Sequence, residues 1–205
     1  MRVALTFDAE HPDRPGSVAT VQDELLVALS DLGVRASFFV QGRWAQAYPQ
    51  TALRIVRDGH AIGNHSHYHV RMPLLSESGL RADVGEAERA ILDAVGVVPR
   101  PWFRCPFGDG WDDATVLRVL RELGYLHVGW DVLADDWVPG LAPEALSDAV
   151  VASVLSRNGE TVVLLHTWPE QTLLALPAIV GRLTAEGATF VGVDELEHVP
   201  SRIEL

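Results

Sequence analysis

The feature that most restricts the fold of this chain is an alternation, repeated about seven times, of short apolar strand patterns with amphipathic helix patterns. Strands joined through helices lie parallel, and the crossovers that join them are right-handed. The strand patterns are Arg2–Phe7, Val34–Val40, His60–Gly63, Pro101–Arg104, Tyr125–Trp130, Glu160–His166 and Thr189–Val193. Between them the spacing of apolar residues predicts helices from Ser17 to Asp31 and over Gly42–Ala47, Pro49–Arg57, Ser76–Val95, Asp112–Leu123, Ala142–Ser156 and Leu173–Glu186. Ser17 has the hydroxyl of an N-cap, and Gly33 ends that helix as a residue free to take positive φ. Leu80, Val84, Ala87, Ile91 and Val95 make one apolar face of the long helix. The expectation is an α/β chain folded as one domain over residues 1–205, its sheet either open and doubly wound or curled into a barrel.

Composition narrows the partners. Lys and Arg number 16 and Asp and Glu 28, so the net charge is −12, which argues against nucleic acid and against anionic membrane surfaces. Cys105 is the single cysteine, which excludes an internal disulfide and a cysteine-based zinc site. No apolar run is long enough to span a membrane. The chain opens on a strand pattern and shows no secretory leader, so a cytoplasmic location is expected; a chain already trimmed of its leader and secreted would read the same.

Residues able to do chemistry gather at one place in this pattern. Asp8, His65, Arg104, Asp136 and His166 each stand at or just past the C-terminal end of a strand pattern. In parallel α/β folds that rim carries the active site. The stretch Gly59–Met72 (G-H-A-I-G-N-H-S-H-Y-H-V-R-M) holds four of the eight histidines. His65 and His69 are four apart, which in a helical turn puts both imidazoles on one face. Such a pair can grip zinc or a neighbouring first-row ion, while His67 points elsewhere.

Thr6–Asp8 (T-F-D), Gly63–His69 (G-N-H-S-H-Y-H), Phe103–Gly108 (F-R-C-P-F-G), Asp136-Trp137 and Leu164–His166 (L-L-H) follow one another in that order. In these motifs, and from about residue 3 to residue 195, the chain resembles the polysaccharide deacetylase family, the NodB-homology domain of carbohydrate esterase family 4. The resemblance implies a distorted (β/α) barrel of about seven strands that binds a divalent metal, zinc first and cobalt or nickel as alternatives. It implies hydrolysis of an N- or O-acetyl group on a sugar. Asp8 matches the catalytic base, and His65 and His69 match metal ligands. Arg104 matches the arginine that orients the base. Phe107 matches the position whose backbone N–H holds the oxyanion. His166 matches the catalytic acid and Asp136 the carboxylate that tunes it. The chemistry agrees: a metal lowers the pKa of water from about 15.7 to about 7 and polarises the carbonyl. A carboxylate can take the water proton, and a histidine is suited to protonating a leaving amine near neutral pH.

One motif departs. The family's first motif is usually T-F-D-D-G, and its second aspartate is a metal ligand; here the stretch is Thr6-Phe7-Asp8-Ala9-Glu10. Alanine cannot ligate, so Glu10 is the expected third ligand, ahead of His11 and Asp13. A solvated Glu10 would leave the metal on two histidines and water, or absent. Leu133 stands where many members carry a polar residue. Trp137 is kept, and Trp168 reads either as a stacking surface for a sugar or as a half-buried rim aromatic. Cys105 reads as a packing residue. Asp109, Asp112 and Asp113 read as loop and helix cap, and His67 as a residue behind the ligands or on the substrate side. His11, His60, His127 and His198 have no assigned role. Two other readings stand beside a deacetylase: an allantoinase-like hydrolase of cyclic amides, imides or ureides, with or without metal, and a non-catalytic carbohydrate-binding descendant. The expected partner is an acetylated sugar or small molecule; the sequence does not fix an oligomeric state.

Overall fold

The structure, a computed structural model, describes residues 1–13 and 19–201. Ser17, the expected helix cap, lies outside the described residues. The elements in chain order are β1 (Arg2–Ala9), α1 (Ala19–Asp31), β2 (Ser37–Val40), α2 (Gly42–Ala47), α3 (Pro49–Arg57), β3 (Ala61–Asn64), α4 (Glu77–Val95), β4 (Trp102–Phe103), α5 (Ala114–Glu122), β5 (Leu126–His127), β6 (Val132–Leu133), α6 (Pro143–Leu155), β7 (Thr161–His166), α7 (Glu170–Ala185) and β8 (Thr189–Phe190). Asp113 caps α5 by accepting the N–H groups of Thr115 and Val116, and the Ser76 hydroxyl accepts from Gly79 at the start of α4.

Every strand pair is parallel. The order is β5-β4-β3-β2-β1-β7-β6, with β8 beside β1. β2 pairs with β1 over Thr6–Ala9, whereas β8 pairs only with Arg2 and Val3. The sheet curls until the outer strands β5 and β6, consecutive in the chain, are joined by residues 128–131. There Gly129 N–H donates to the carbonyl of Pro200 at 2.7 Å. The result is the distorted (β/α) barrel, with one strand more than the sequence shows. β6 is too short to leave a readable alternation. The strand patterns Val34–Val40 and Tyr125–Trp130 shrink to β2 and β5, because a ladder forms only where a neighbour lies alongside. No helix among the described residues is long and apolar enough to cross a membrane.

The period-two alternation of β1 sorts its side chains. Val3, Leu5, Phe7 and Ala9 face the helices in the main core, where Phe7 stacks on Phe38 with centroids 5.3 Å apart. Ala4 faces inward with Phe39, Trp130 and Leu164, and Thr6 and Asp8 share that inner face. A further cluster of Leu80, Val84, Phe103, Val116, Leu120 and Tyr125 seats α4 and α5.

His127, on β5, is buried with Nδ1 3.2 Å from the Ser201 carbonyl, and its Nε2 has no partner among the described residues. Burial, and after it the charge of Arg104, lowers its pKa from 6.5 to about 4. The fold therefore favours the neutral ring. The stabilisation this gives is complete above pH 6.5 and is lost as pH falls towards 4, because the unfolded ring takes up a proton first. Over that window the loss approaches about 3 kcal/mol. In urea titrations from pH 7 to 4.5, the wild type should lose stability relative to His127→Leu as pH falls. A pH-independent difference between the two would show that the ring titrates normally.

Candidate active site

A cavity of about 360 Å³ opens at the C-terminal rim of the barrel, and Asp8, Glu10, His65, His69 and His166 line it. Strand geometry explains the carboxylates. Asp8 and Glu10 are two apart and face the same way, and Ala9 between them points into the apolar core. A ligand at position 10 thus reaches the cavity from the face that Asp8 uses. His65 follows β3 directly, Arg104 follows β4 and His166 ends β7.

The histidine pair converges, but not by a helical turn. Residues 65–69 are not helical; Ser66 and His69 take φ values of 64° and 55°, and this left-handed bend brings the rings to 5.0 Å between centroids. The bend is held from within. Asn64 accepts the Ser66 N–H at 2.9 Å, and the Ser66 hydroxyl accepts the His69 N–H at 2.9 Å.

Glu10, His65 and His69 are all buried, and one potential ligand atom from each lies within 4.8 Å of the others. Glu10 Oε2 is 3.3 Å from His65 Nε2 and touches His69 Nε2. His65 turns Nδ1 to the Arg104 carbonyl at 2.9 Å; donating that proton leaves the Nε2 lone pair free. Burial opposes the charge on Glu10, but hydrogen bonds with His11, His65 and His69 outweigh it and hold its carboxyl well below the usual range. Burial lowers the pKa of His69, keeping it neutral. Burial opposes the charge on His65 too, but Asp8 and Glu10 outweigh it and raise its pKa, so in the absence of a cation this ring answers the two carboxylates with its own proton. One carboxylate and two imidazoles are a donor set suited to zinc and its neighbours, so the residues present fit a divalent metal.

Arg104 is wholly buried. Its Nη1 donates to Asp8 Oδ1 and Thr6 Oγ1, each at 2.9 Å, and its Nη2 donates to the Gly129 carbonyl at 3.1 Å. The guanidinium lies 4.0 Å from the Phe39 ring centroid. Across the pocket, His166 Nδ1 donates to Asp136 Oδ1 at 2.7 Å, and the His166 backbone N–H donates to Oδ2 at 2.7 Å. The Thr172 hydroxyl donates to the same Oδ2 at 2.6 Å. Burial alone would depress the His166 pKa; the charge and hydrogen bond of Asp136 outweigh it and raise the ring to about 9.

Phe107, Trp137 and Trp168 all line the cavity, joined by Trp130, Leu133 and Leu164. Trp168 Nε1 donates to Glu10 Oε1 at 3.4 Å. His11, weighed from sequence only as a lesser alternative to Glu10 for the third ligand, has its Nε2 3.1 Å from Glu10 Oε1. Asp13 pairs with Arg43 instead. His67 is not on the substrate side: it is buried beneath α2, where a Cβ on Gly42 would come within 2.3 Å of its Nδ1. Cys105 is buried, and burial raises its thiol pKa, as a packing residue requires. Thr6 carried a signal, two residues before Asp8 on the same face; Trp130 and Thr172 carried none.

Comparison with known proteins agrees with this geometry. The family model for polysaccharide deacetylase matches residues 1–128. The chain is 34% identical over 199 residues to a chitooligosaccharide deacetylase of Sinorhizobium fredii, covering 90% of this chain and 86% of that protein. A family 4 carbohydrate esterase from Streptomyces lividans, solved with acetate, superposes with a TM-score of 0.79 at 32% identity, covering 92% of this chain and 91% of that one. A family 4 pseudoenzyme from Bacillus anthracis superposes with a TM-score of 0.83 at 25% identity, covering 95% of this chain and 64% of that one. Several curated relatives are longer, and the chain spans 38% to 66% of their length. With its five motifs meeting at one barrel rim and a family model matching more than half its length, this chain belongs to the polysaccharide deacetylase family.

Proposed function

We infer that the protein is a metal-dependent hydrolase that removes the acetyl group from an N-acetylated sugar. The observation that carries this reading is the meeting, in one cavity, of the Glu10–His65–His69 donor set with a carboxylate held by Arg104, Asp8, and an imidazole held by Asp136, His166. When bound, the metal supplies a Lewis acid that polarises the acetyl carbonyl and acidifies water. Asp8, fixed by Arg104, takes the proton of the attacking water. Phe107, at the cavity rim in a left-handed turn with φ of 58°, supplies its backbone N–H as the oxyanion donor in this reading. His166, protonated near neutral pH and held by Asp136, donates from Nε2 to the leaving nitrogen. Trp130, Leu133 and Leu164 wall the acetyl end and exclude water. Relatives named for peptidoglycan and chitooligosaccharides support a glycan bearing N-acetylglucosamine as substrate.

A second reading, a non-catalytic binder, is favoured by Ala9 and by the likeness to a pseudoenzyme. The buried Asp8–Arg104 pair and the His166–Asp136 pair weigh against it, since binding needs neither. The deciding measurement is metal content of the purified protein beside acetate release from N-acetylglucosamine oligomers and peptidoglycan fragments. About one zinc per chain and chelator-sensitive acetate release are expected. Metal without acetate release from any sugar would sink the substrate class. No metal even after reconstitution would sink the mechanism and move the reading to cyclic amides or to a binding role.

A further inference from the structure

The loop that carries both histidine ligands is gripped from two sides. On one side, the first turn of α2 donates Gly42 N–H to the Ser66 carbonyl at 2.9 Å and Arg43 N–H to the His67 carbonyl at 3.4 Å. On the other, Asp83 of α4 accepts the N–H of His67 at Oδ2, 3.0 Å away, and the N–H of Tyr68 at Oδ1, 3.1 Å away. Asp83 is only 5% exposed, and among the described residues no cation pairs with it. A buried carboxylate is costly unless its oxygens are occupied by donors. Here its partners are two of the four peptide groups between His65 and His69. An ionised carboxylate only accepts hydrogen bonds and offers one oxygen to each donor; an amide would turn its NH2 against one of them. The left-handed residues Ser66 and His69 have side chains and pay strain in this bend, so the loop needs outside contacts to keep its shape.

We propose that Asp83 is a positioning residue for the metal site: its buried carboxylate presets the His65–His69 loop in the shape that ligates. The proposal rests on the reading that Glu10, His65 and His69 hold a divalent ion. It assigns Asp83 no contact with substrate or metal.

The test is zinc affinity, measured by competition with a chromophoric chelator, for the wild type, Asp83→Asn, and Leu80→Ala. The last loosens the same helix in its core cluster and leaves the Asp83 carboxylate and its two hydrogen bonds in place. Asp83→Asn should bind zinc roughly 10–100-fold more weakly, while the melting temperature of its metal-free form falls no further than that of Leu80→Ala. Leu80→Ala should bind zinc as the wild type does. Equal affinity in Asp83→Asn and wild type overturns the proposal, as does an equal weakening in Leu80→Ala. Hydrogen exchange on the metal-free wild type decides independently of whether the variants fold. The amides of His67 and Tyr68 should be protected like those of β3, and rapid exchange overturns the proposal. A wild type that binds no zinc overturns this proposal and the metal reading together; a wild type that binds zinc beside an unaffected Asp83→Asn overturns this proposal alone.

Discussion

Glu10→Ala is expected to strip the metal from the purified protein and to lower kcat/KM by about a thousandfold or more, a loss of about 4 kcal/mol. Both oxygens of this carboxylate are engaged. Oε2 faces His65 and His69, and Oε1 is held by His11 at 3.1 Å and Trp168 at 3.4 Å. Alanine removes the one anionic donor of the set and leaves two imidazoles, too few to hold a divalent ion in competition with buffer. Glu10→Gln keeps the shape but not the charge, and should fall between wild type and alanine in metal content. Restoring the commoner family arrangement should not rescue the loss. Ala9→Asp in the Glu10→Ala background sends its carboxylate into the core cluster with Phe7 and Leu165, away from the cavity, and should destabilise the fold. Elemental analysis with denaturant unfolding checks all three. Full metal content in Glu10→Ala would remove Glu10 from the ligand set, and metal restored by Ala9→Asp would show that β1 can turn its other face to the site.

His166→Ala is expected to lower kcat about 10²–10⁴-fold on an N-acetylated sugar, with KM and metal content little changed. The ring is held both protonated and oriented: Asp136 accepts the Nδ1 hydrogen bond at 2.7 Å, which leaves Nε2–H for the leaving nitrogen. A departing amine must gain a proton, whereas a good phenolate leaving group need not. The loss should therefore shrink severalfold or more on an aryl acetate. An equal loss on both substrates would assign His166 to binding or to shaping the pocket rather than to acid catalysis.

The alternation of strand and helix was legible because each element carries its own period. β1, β7 and the long helix α4 stand where their apolar spacing puts them. The motif residues were legible for a related reason: strand ends in a parallel sheet share one rim, so order along the chain predicts proximity. β6 was not legible, because a two-residue pairing with β7 is decided by the neighbour rather than by its own residues. His11 was not legible either. Its place on Glu10 follows from a backbone φ of 55° and from the carboxylate it meets, neither of which a loop histidine announces.

The sequence by itself determined the parallel α/β class, the rim that carries the chemistry and the succession of motif residues along it. Those follow from local periodicity and covalent connectivity. Only the tertiary structure decided that His65 and His69 meet through a left-handed bend rather than a helical turn. It alone brings α2 and the Asp83 carboxylate of α4 against that bend, and sets His11 and Trp168 on the second oxygen of Glu10. These are contacts between segments far apart in the chain, and their energies exist only once packing has removed the water that would otherwise satisfy each group.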